Sequence, residues 1–246
     1  MPLERAVSKL GLASRTQARA LVAEGRVTVN GVRVTNPGQL VIPERAAIAI
    51  DGQAAPAPRP CTIVLHKPRG VVTTRSDPEG RTTVFDLLEG VPVPVMPVGR
   101  LDLATSGVLI LTNDTRFADW LTDPASGVPR VYLVTVKGRV EPATIPVLQR
   151  GILVDGERLT AAAAALRKAS NRESHLVVTL TEGRNREVRR MLAAAGHPVT
   201  RLRRVEYGGL ALGTLAPGTW REVTAAELRR AFPGRPQARK RAPSPK

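Results

Sequence analysis

An aspartate stands in a glycine-flanked loop directly before an apolar run of the chain. Asp102 lies within Val98-Gly-Arg-Leu-Asp-Leu-Ala-Thr-Ser-Gly107, and the following run Val-Leu-Ile-Leu-Thr is typical of a buried strand. Loops at strand ends are favoured places for active groups, and a carboxylate there can serve as a nucleophile or a general base. Local sequence, however, favours the simpler interpretation that Asp102 caps a turn.

A second segment, Glu182 to Gly196, combines arginines with a helical pattern. We predict a helix over residues 187–195 with Asn185 as its N-cap and Gly196 as its C-terminal stop. Arg186, Arg189 and Arg190 crowd the positive end of its dipole, where cations are unfavourable. Seven Arg and two Glu lie between residues 182 and 204, so the compensating anion must be a distant carboxylate or RNA.

The net charge indicates a polyanionic partner. It is +16 over 246 residues, with seven Lys or Arg and no acid from Arg229 to Lys246. A membrane surface is the competing polyanion, but no apolar run approaches the roughly 20 residues that span a bilayer. The N-terminus also lacks a signal-peptide pattern. We therefore expect a cytoplasmic, monomeric protein that binds nucleic acid and not membrane.

Residues suited to metal or stacking chemistry are few. The chain has one cysteine, Cys61, and three histidines without zinc-ligand spacing, so we expect no metal site. No glycine-rich phosphate loop is present. Aromatic residues make up 3% of the chain, which leaves few candidates for stacking on a base. Among them, Tyr132 lies in a strand pattern and is equally compatible with a half-buried structural role.

Proline punctuation predicts two domains. Residues 54–60 read Ala-Ala-Pro-Ala-Pro-Arg-Pro and are typical of a semi-rigid linker. We predict a small domain over residues 1–53, a larger one over 61–228, and a basic, disordered tail over 229–246. The small domain should hold a helix over 3–10, a second helix begun by a capping box at Ser14 and Gln17, and a hairpin turning at Asn30-Gly31.

The small domain has one basic face. Arg15 and Arg19 are four residues apart and repel unless an anion lies between them. A solvated helix face is the commoner explanation for such a pair, but the adjoining helix N-terminus and further basic residues favour phosphate contact. The predicted RNA contacts of this domain are Lys9, Arg15, Arg19 and Arg33.

The larger domain is richer in strand patterns than in helical ones. We predict strands over residues 62–65, 108–112, 131–136, 163–166 and 175–180. We predict helices over 83–88, 117–121, 142–150 and 187–195. The fold class is therefore α+β, with a helix-helix-hairpin module followed by a mixed, mainly antiparallel sheet flanked by helices.

Two resemblances join these motifs. The Leu-Gly-Leu-Ala-Ser-Arg start, the Glu-Gly-Arg-Val turn and the Val-Asn-Gly hairpin of the small domain resemble the S-four RNA-binding domain of a ribosomal small-subunit protein. Gly-Arg-Leu-Asp, Glu-Gly-Arg-Asn-Arg-Glu-Val-Arg-Arg-Met and a later Leu-x-Arg-x-x-x-Gly resemble the RsuA/RluB/RluE/RluF family of ribosomal RNA pseudouridine synthases. This second resemblance implies that a uridine is converted to pseudouridine without a cofactor.

The resemblance implies roles for residues of the larger domain. Asp102 would be the catalytic carboxylate, as nucleophile or as the base that removes a sugar proton, with Arg189 as its ion-pair partner. Tyr132 would stack on the flipped uridine. Further RNA contacts are expected at Arg100, Lys67, Arg69, Arg186 and Arg190. Glu187, where many relatives carry Gln, should pair with a nearby arginine.

Other functions remain open on the sequence. A non-catalytic RNA-binding or ribosome-assembly protein could keep the same fold, although the intact Asp102, Tyr132 and Arg189 argue against it. A metal-dependent nuclease would need a ligand cluster that the sequence lacks. The wording of the second motif favours large-subunit over small-subunit ribosomal RNA, and the target uridine is not specified.

Overall fold

The computed structural model describes residues 1–43, 46–54 and 59–236. The chain divides into two compact units, one built from residues 1–60 and 91–94, the other from 61–90 and 95–236. In the described part of the chain, no helix is both long and apolar enough to cross a bilayer.

The first unit packs two helices on a small antiparallel sheet. Its elements are α1 (Leu3–Lys9), α2 (Arg15–Ala23), β1 (Val27–Val29), β2 (Val32–Val34), β3 (Ile48–Ile50) and β4 (Gln53–Ala54). The strand order is β2-β1-β3-β4. The Ser14–Gln17 capping box begins α2, and Asn30 and Gly31 take the positive φ that a tight hairpin needs. Ala54 belongs to β4, not to the predicted linker, and residues 55–58 of that linker lie outside the described residues.

The second unit carries the remaining elements. Its helices are α3 (Thr115–Thr122), α4 (Thr144–Arg150), α5 (Glu187–Ala194) and α6 (Ala225–Ala231), with 3₁₀ turns at Val84–Leu87 and Pro124–Ser126. Its strands are β5 (Thr62–Lys67), β6 (Met96–Pro97), β7 (Thr105–Thr112), β8 (Arg130–Lys137), β9 (Ile152–Val154), β10 (Glu157–Leu159), β11 (Ala163–Ala169), β12 (Glu173–Leu180), β13 (Val199–Tyr207), β14 (Leu210–Ala211) and β15 (Trp220–Glu222).

One large sheet organises this unit. Its order over the described residues is β11-β12-β8-β13-β7-β5-β15, with β14 on β13 and β6 on β7, while β9 and β10 form a separate hairpin. The β7–β13 pair is parallel and the other pairings are antiparallel. One apolar cluster packs α4 and α5 on β8 and β12, and another packs α3 and α6 on β7. Burial of these faces is the main favourable contribution to folding.

The structure corrects two predictions. Strand β13 was not predicted, because Arg201, Arg203 and Arg204 interrupt the alternation of apolar residues on which strand prediction depends. The disordered tail predicted from Arg229 is wrong for residues 229–236, since α6 continues to Ala231 and Phe232 is buried in the core. Residues 237–246 of that predicted tail lie outside the described residues.

Candidate active site

A cavity of about 440 Å³ opens in the second unit, which is within the roughly 300–1,000 Å³ typical of small-molecule sites. It is lined by the loop before β7, by the inward faces of β8 and β13, and by the segment that leads into α5. The two motifs of the sequence, about 80 residues apart in the chain, therefore meet at one cavity.

Asp102 lies at the wall of this cavity between two guanidinium groups. Its side chain is 30% exposed, and its Oδ2 is 3.5 Å from Arg186 Nη1 and 3.6 Å from Arg189 Nε. Its carbonyl accepts a hydrogen bond from the Thr105 amide at 3.0 Å, which closes the turn that enters β7. The carboxylate is thus charge-compensated while part of it stays accessible.

Arg189 is held in place by more than the aspartate. Its side chain is largely buried, and it donates to the Val199 carbonyl at 3.2 Å and to the Ala104 carbonyl at 3.1 Å. Burial lowers the pKa of Arg189, and the neighbouring charge of Arg186 lowers it further. The guanidinium is therefore fixed to the loop that presents Asp102.

The arginines around α5 find their anions on distant carboxylates. Arg190 Nη1 is 2.7 Å from Glu157 Oε2, and its Nη2 is 3.3 Å from Asp155 Oδ2, both beyond the cavity lining. In this structure these acids of the β9–β10 hairpin engage Arg190, and its contact with RNA stays a prediction. Arg186, another predicted RNA contact, has its Nη1 3.5 Å from Asp102 Oδ2.

The start of α5 differs from the prediction. Arg186, not Asn185, occupies the position before the first helical residue, and it has φ of 48° with no side-chain cap. A left-handed conformation is uncommon for arginine. In this conformation the Arg186 side chain reaches the Asp102 carboxylate.

Lys67 is buried and has a structural role, so the prediction that it contacts RNA is wrong. The residue is 0% exposed, and Nζ donates to the carbonyls of Pro68, Asp102 and Thr105 at 3.0, 3.1 and 2.9 Å. Burial lowers its pKa to about 8, and the Asp102 charge opposes that shift. Lys67 therefore ties the end of β5 to the Asp102 loop, whereas Arg69, two residues on, is exposed.

Tyr132 and Arg100 also line the cavity. Tyr132 projects from β8 and is 8% exposed, and Arg100 is an exposed residue of the same loop as Asp102. Among the lining residues that were not predicted to belong to the site are Arg130, Arg204 and Tyr207 on β8 and β13. The signal for the two arginines was their inward-facing strand position, where a charge is costly to bury unless it has a partner or a function.

In the part of the chain that the structure describes, Glu187 does not form the predicted ion pair with an arginine side chain. It is 3% exposed, and its Oε2 accepts a hydrogen bond from the Arg184 backbone amide at 3.1 Å. Burial, with a smaller contribution from the neighbouring Glu182 carboxylate, raises the pKa of Glu187 to about 7. The Glu187 carboxyl is therefore buried where it caps the turn into α5, and not at the surface beside an arginine.

This shift predicts a pH-dependent stability. The folded state holds a proton on Glu187 that the unfolded chain releases above its usual pKa of 4.5, so stability is lost as pH rises from 4.5 to 7. We expect Glu187→Gln to be stabilising by up to about 3 kcal/mol at pH 8 relative to its effect at pH 4. Urea unfolding at both pH values measures it.

The matched control is Glu157→Gln. Arg190 lowers the pKa of Glu157, so this variant should lose stability relative to wild type as pH rises through the carboxyl range, opposite to Glu187→Gln. A pH-independent effect of Glu187→Gln would contradict the burial of a protonated carboxyl.

In the first unit, the predicted basic face is partly compensated. Arg19 Nε is 3.0 Å and Arg15 Nη2 is 3.7 Å from the Glu4 carboxylate, which is the anion between them. Arg33 donates to the carbonyls of Glu24 and Gly25 at the end of α2. Lys9 lies in the last turn of α1. Arg15 and Arg19 remain largely exposed beyond their contact with Glu4.

Comparisons with known proteins identify the class. A family model described as RNA pseudouridylate synthase matches residues 62–194, and one described as S4 domain matches residues 1–44. A solved structure titled a pseudouridylate synthase is 26% identical, covers 94% of this chain and 99% of its own, and superposes with a TM-score of 0.64.

Curated relatives match along nearly the whole chain. A protein of Bacillus subtilis named ribosomal large subunit pseudouridine synthase B is 38% identical over 93% of this chain and 94% of its own. A protein of Aquifex aeolicus named uncharacterized RNA pseudouridine synthase is 38% identical over 94% of this chain and 93% of its own. A relative in Vibrio vulnificus, also named for the large subunit, is 35% identical over 92% and 72%. The chain belongs to the RNA pseudouridylate synthase family, with an S4 domain at its N-terminus.

Proposed function

We propose that this protein converts a uridine of large-subunit ribosomal RNA to pseudouridine, with Asp102 as the catalytic carboxylate. The observation that carries the proposal is the position of Asp102, half-buried at a nucleoside-sized cavity with Arg186 and Arg189 at its Oδ2. The large subunit is favoured because the Bacillus subtilis and Vibrio vulnificus relatives are named for it.

The reaction rearranges bonds without net oxidation or reduction. The bond from the ribose C1′ to N1 of uracil breaks, the base turns, and C1′ joins C5, while the C5 hydrogen is lost and N1 gains one. An ionised Asp102 can attack the sugar or the base as a nucleophile, or it can remove a sugar proton. Both routes need the charged carboxylate, and two guanidinium groups lie within 3.6 Å of its Oδ2.

Other residues around Asp102 support this step. A uridine within folded RNA has to be flipped out to reach the cavity, and Tyr132 offers a face on which it can stack. Arg189 orients Asp102, and we expect Arg100 at the cavity and the exposed Arg69 to contact phosphates of the flanking nucleotides. Lys67 supports the loop from below through its three carbonyl contacts.

The N-terminal unit supplies RNA affinity in this proposal. Its two helices and β1–β2 hairpin form the RNA-binding module, with Arg15 and Arg19 exposed for phosphate contact. We propose that the protein acts as a monomer in the cytoplasm.

Replacing Arg15 and Arg19 together by Met should weaken RNA binding without changing the reaction itself. Each lost phosphate contact reduces the slope of log affinity against log salt by about 0.7–0.9. We expect the slope to fall by about 1.5, with the rate at saturating protein unchanged. Filter binding at several salt concentrations measures it, and an unchanged slope would contradict phosphate contact by these residues.

The direct test of the substrate uses purified protein and transcribed ribosomal RNA. The protein is incubated separately with large-subunit and small-subunit RNA, and pseudouridine is mapped by chemical labelling and primer extension. We expect one or a few sites in the large-subunit RNA. Modification of small-subunit RNA only would overturn the choice of subunit. Modification of neither RNA would argue against mature ribosomal RNA as the substrate, and would favour either a form present only during ribosome assembly or a different RNA.

A further inference from the structure

Arg204 is a buried arginine that the proposed mechanism has not used. It lies on β13 directly across from Tyr132 on β8, and its other strand neighbour is Gly107 on β7. The residue is 3% exposed and lines the cavity beside Tyr132. Because paired residues of antiparallel strands share a face, Arg204 is adjacent to the surface proposed to stack on the base.

Its guanidinium is poorly satisfied for a buried cation. Nε donates to the Val108 carbonyl at 2.8 Å, whereas Nη2 is buried and has no hydrogen-bond acceptor among the described residues. Within those residues no carboxylate lies in ion-pair distance of Arg204. A buried charge without a partner is costly, and such a group in a native structure calls for an explanation.

Arg130, another buried arginine at the same cavity, has more hydrogen-bond acceptors than Arg204 and serves as a comparison. It is also buried, but Nη1 donates to the carbonyls of Val128 and Thr181, and Nη2 donates to the Leu121 carbonyl and the Tyr207 hydroxyl. Both guanidinium carbons lie 4.8 Å from the centre of the Tyr207 ring. One aromatic ring therefore contacts two cations, and the second of them has the Val108 carbonyl as acceptor for Nε but none for its buried Nη2 among the described residues.

We propose that Arg204 binds a carbonyl oxygen of the flipped uracil and stabilises the negative charge of the base when its bond to the sugar breaks. This inference rests on the proposed function. It makes Arg204 a catalytic residue, since it would touch the reacting base.

The chemistry of the step requires such a donor. When the C1′–N1 bond breaks, its electron pair leaves with the base, and the charge is shared among N1, O2 and O4. Donors already aimed at the position of developing charge need no reorganisation, which is why they are effective. Rotation of the base about its N3–C6 axis exchanges N1 with C5 and also O2 with O4. A fixed guanidinium therefore finds a carbonyl oxygen before and after the turn.

The test compares single-turnover rates on the RNA that the wild-type protein modifies. The variants are Arg204→Met, Arg204→Lys and, as the matched control, Arg203→Met on the exposed face of the same strand. We expect Arg204→Met to slow pseudouridine formation by about 10²–10³-fold, Arg204→Lys to recover part of the rate, and Arg203→Met to stay within about twofold of wild type. RNA affinity should change little, since phosphate contacts dominate it.

A second measurement separates base binding from a structural role. The target uridine is replaced by 2-thiouridine or 4-thiouridine, whose sulfur is a poorer acceptor. At least one replacement should slow the wild-type protein, and Arg204→Met should be less sensitive to it. Equal sensitivity of the two proteins, or a rate for Arg204→Met like that of Arg203→Met, would overturn the inference. If neither Arg204 variant folds, a wild-type rate unaffected by both thio substitutions overturns it. Absence of wild-type activity on the unmodified RNA would instead count against the proposed function.

Discussion

If Asp102 supplies the proposed chemistry, the Asp102→Asn variant forms pseudouridine about 10²–10⁴-fold more slowly than wild type. The amide keeps the size of the side chain but removes the charge that lies 3.5 and 3.6 Å from Arg186 and Arg189. The amide is a poor nucleophile and a poor base, so neither open route can proceed. RNA binding should be unchanged or stronger, because a negative charge is lost from the surface that we propose faces RNA.

The control for this result is Asp155→Asn. Asp155 is an exposed acid that also pairs with an arginine, Arg190, but it lies outside the cavity lining. We expect its activity to equal that of wild type in the same single-turnover assay. If Asp102→Asn retained a rate close to that of Asp155→Asn, Asp102 would not be the catalytic carboxylate.

Gly107→Ala should destabilise the fold by about 3 kcal/mol or more. Gly107 has φ of 113°, and a Cβ built on it would lie 2.0 Å from the Arg204 carbonyl oxygen and 2.7 Å from the Arg204 amide nitrogen. These are backbone atoms of the parallel β7–β13 pair, so they cannot move without shifting a strand. Because native domains are stable by only about 5–15 kcal/mol, the loss should be evident in a urea titration.

Gly138→Ala serves as the comparison for this variant. Gly138 also has a positive φ, 77°, but apart from its chain neighbours no atom of the described residues lies within 4 Å of a Cβ built there. We expect a loss of about 1–2 kcal/mol, from the backbone conformation without a clash. Equal losses for the two glycine variants would contradict the close approach of β7 and β13 at the cavity.

Local patterns were sufficient to predict several elements of the fold. The Ser14 capping box and the Asn30-Gly31 turn depend on neighbouring residues, and the structure contains both. The apolar runs that become β5, β7 and β8 were recognisable because their residues are buried by the sheet. Bringing the Asp102 loop to α5 required the resemblance, since no local rule connects segments so far apart.

The errors concern charged side chains whose partners are distant in sequence. Lys67 was assigned to RNA through the resemblance, and only the fold shows the three carbonyls that accept hydrogen bonds from its amine. The ion pair of Arg190 with Glu157 could not be predicted, because Glu157 approaches Arg190 only once the β9–β10 hairpin is formed. Arg204 was not assigned to the site because β13 lacks an apolar alternation. Each of these contacts is tertiary, so the local sequence pattern does not predict it.

The most direct test of the central claim is a map of pseudouridines in the ribosomal RNA of cells that lack the gene, complemented with wild type or with Asp102→Asn. We predict that deletion removes at least one pseudouridine from large-subunit RNA, that wild type restores it, and that Asp102→Asn at equal protein abundance does not. A map that is unchanged by deletion, or restored by Asp102→Asn, would contradict the account.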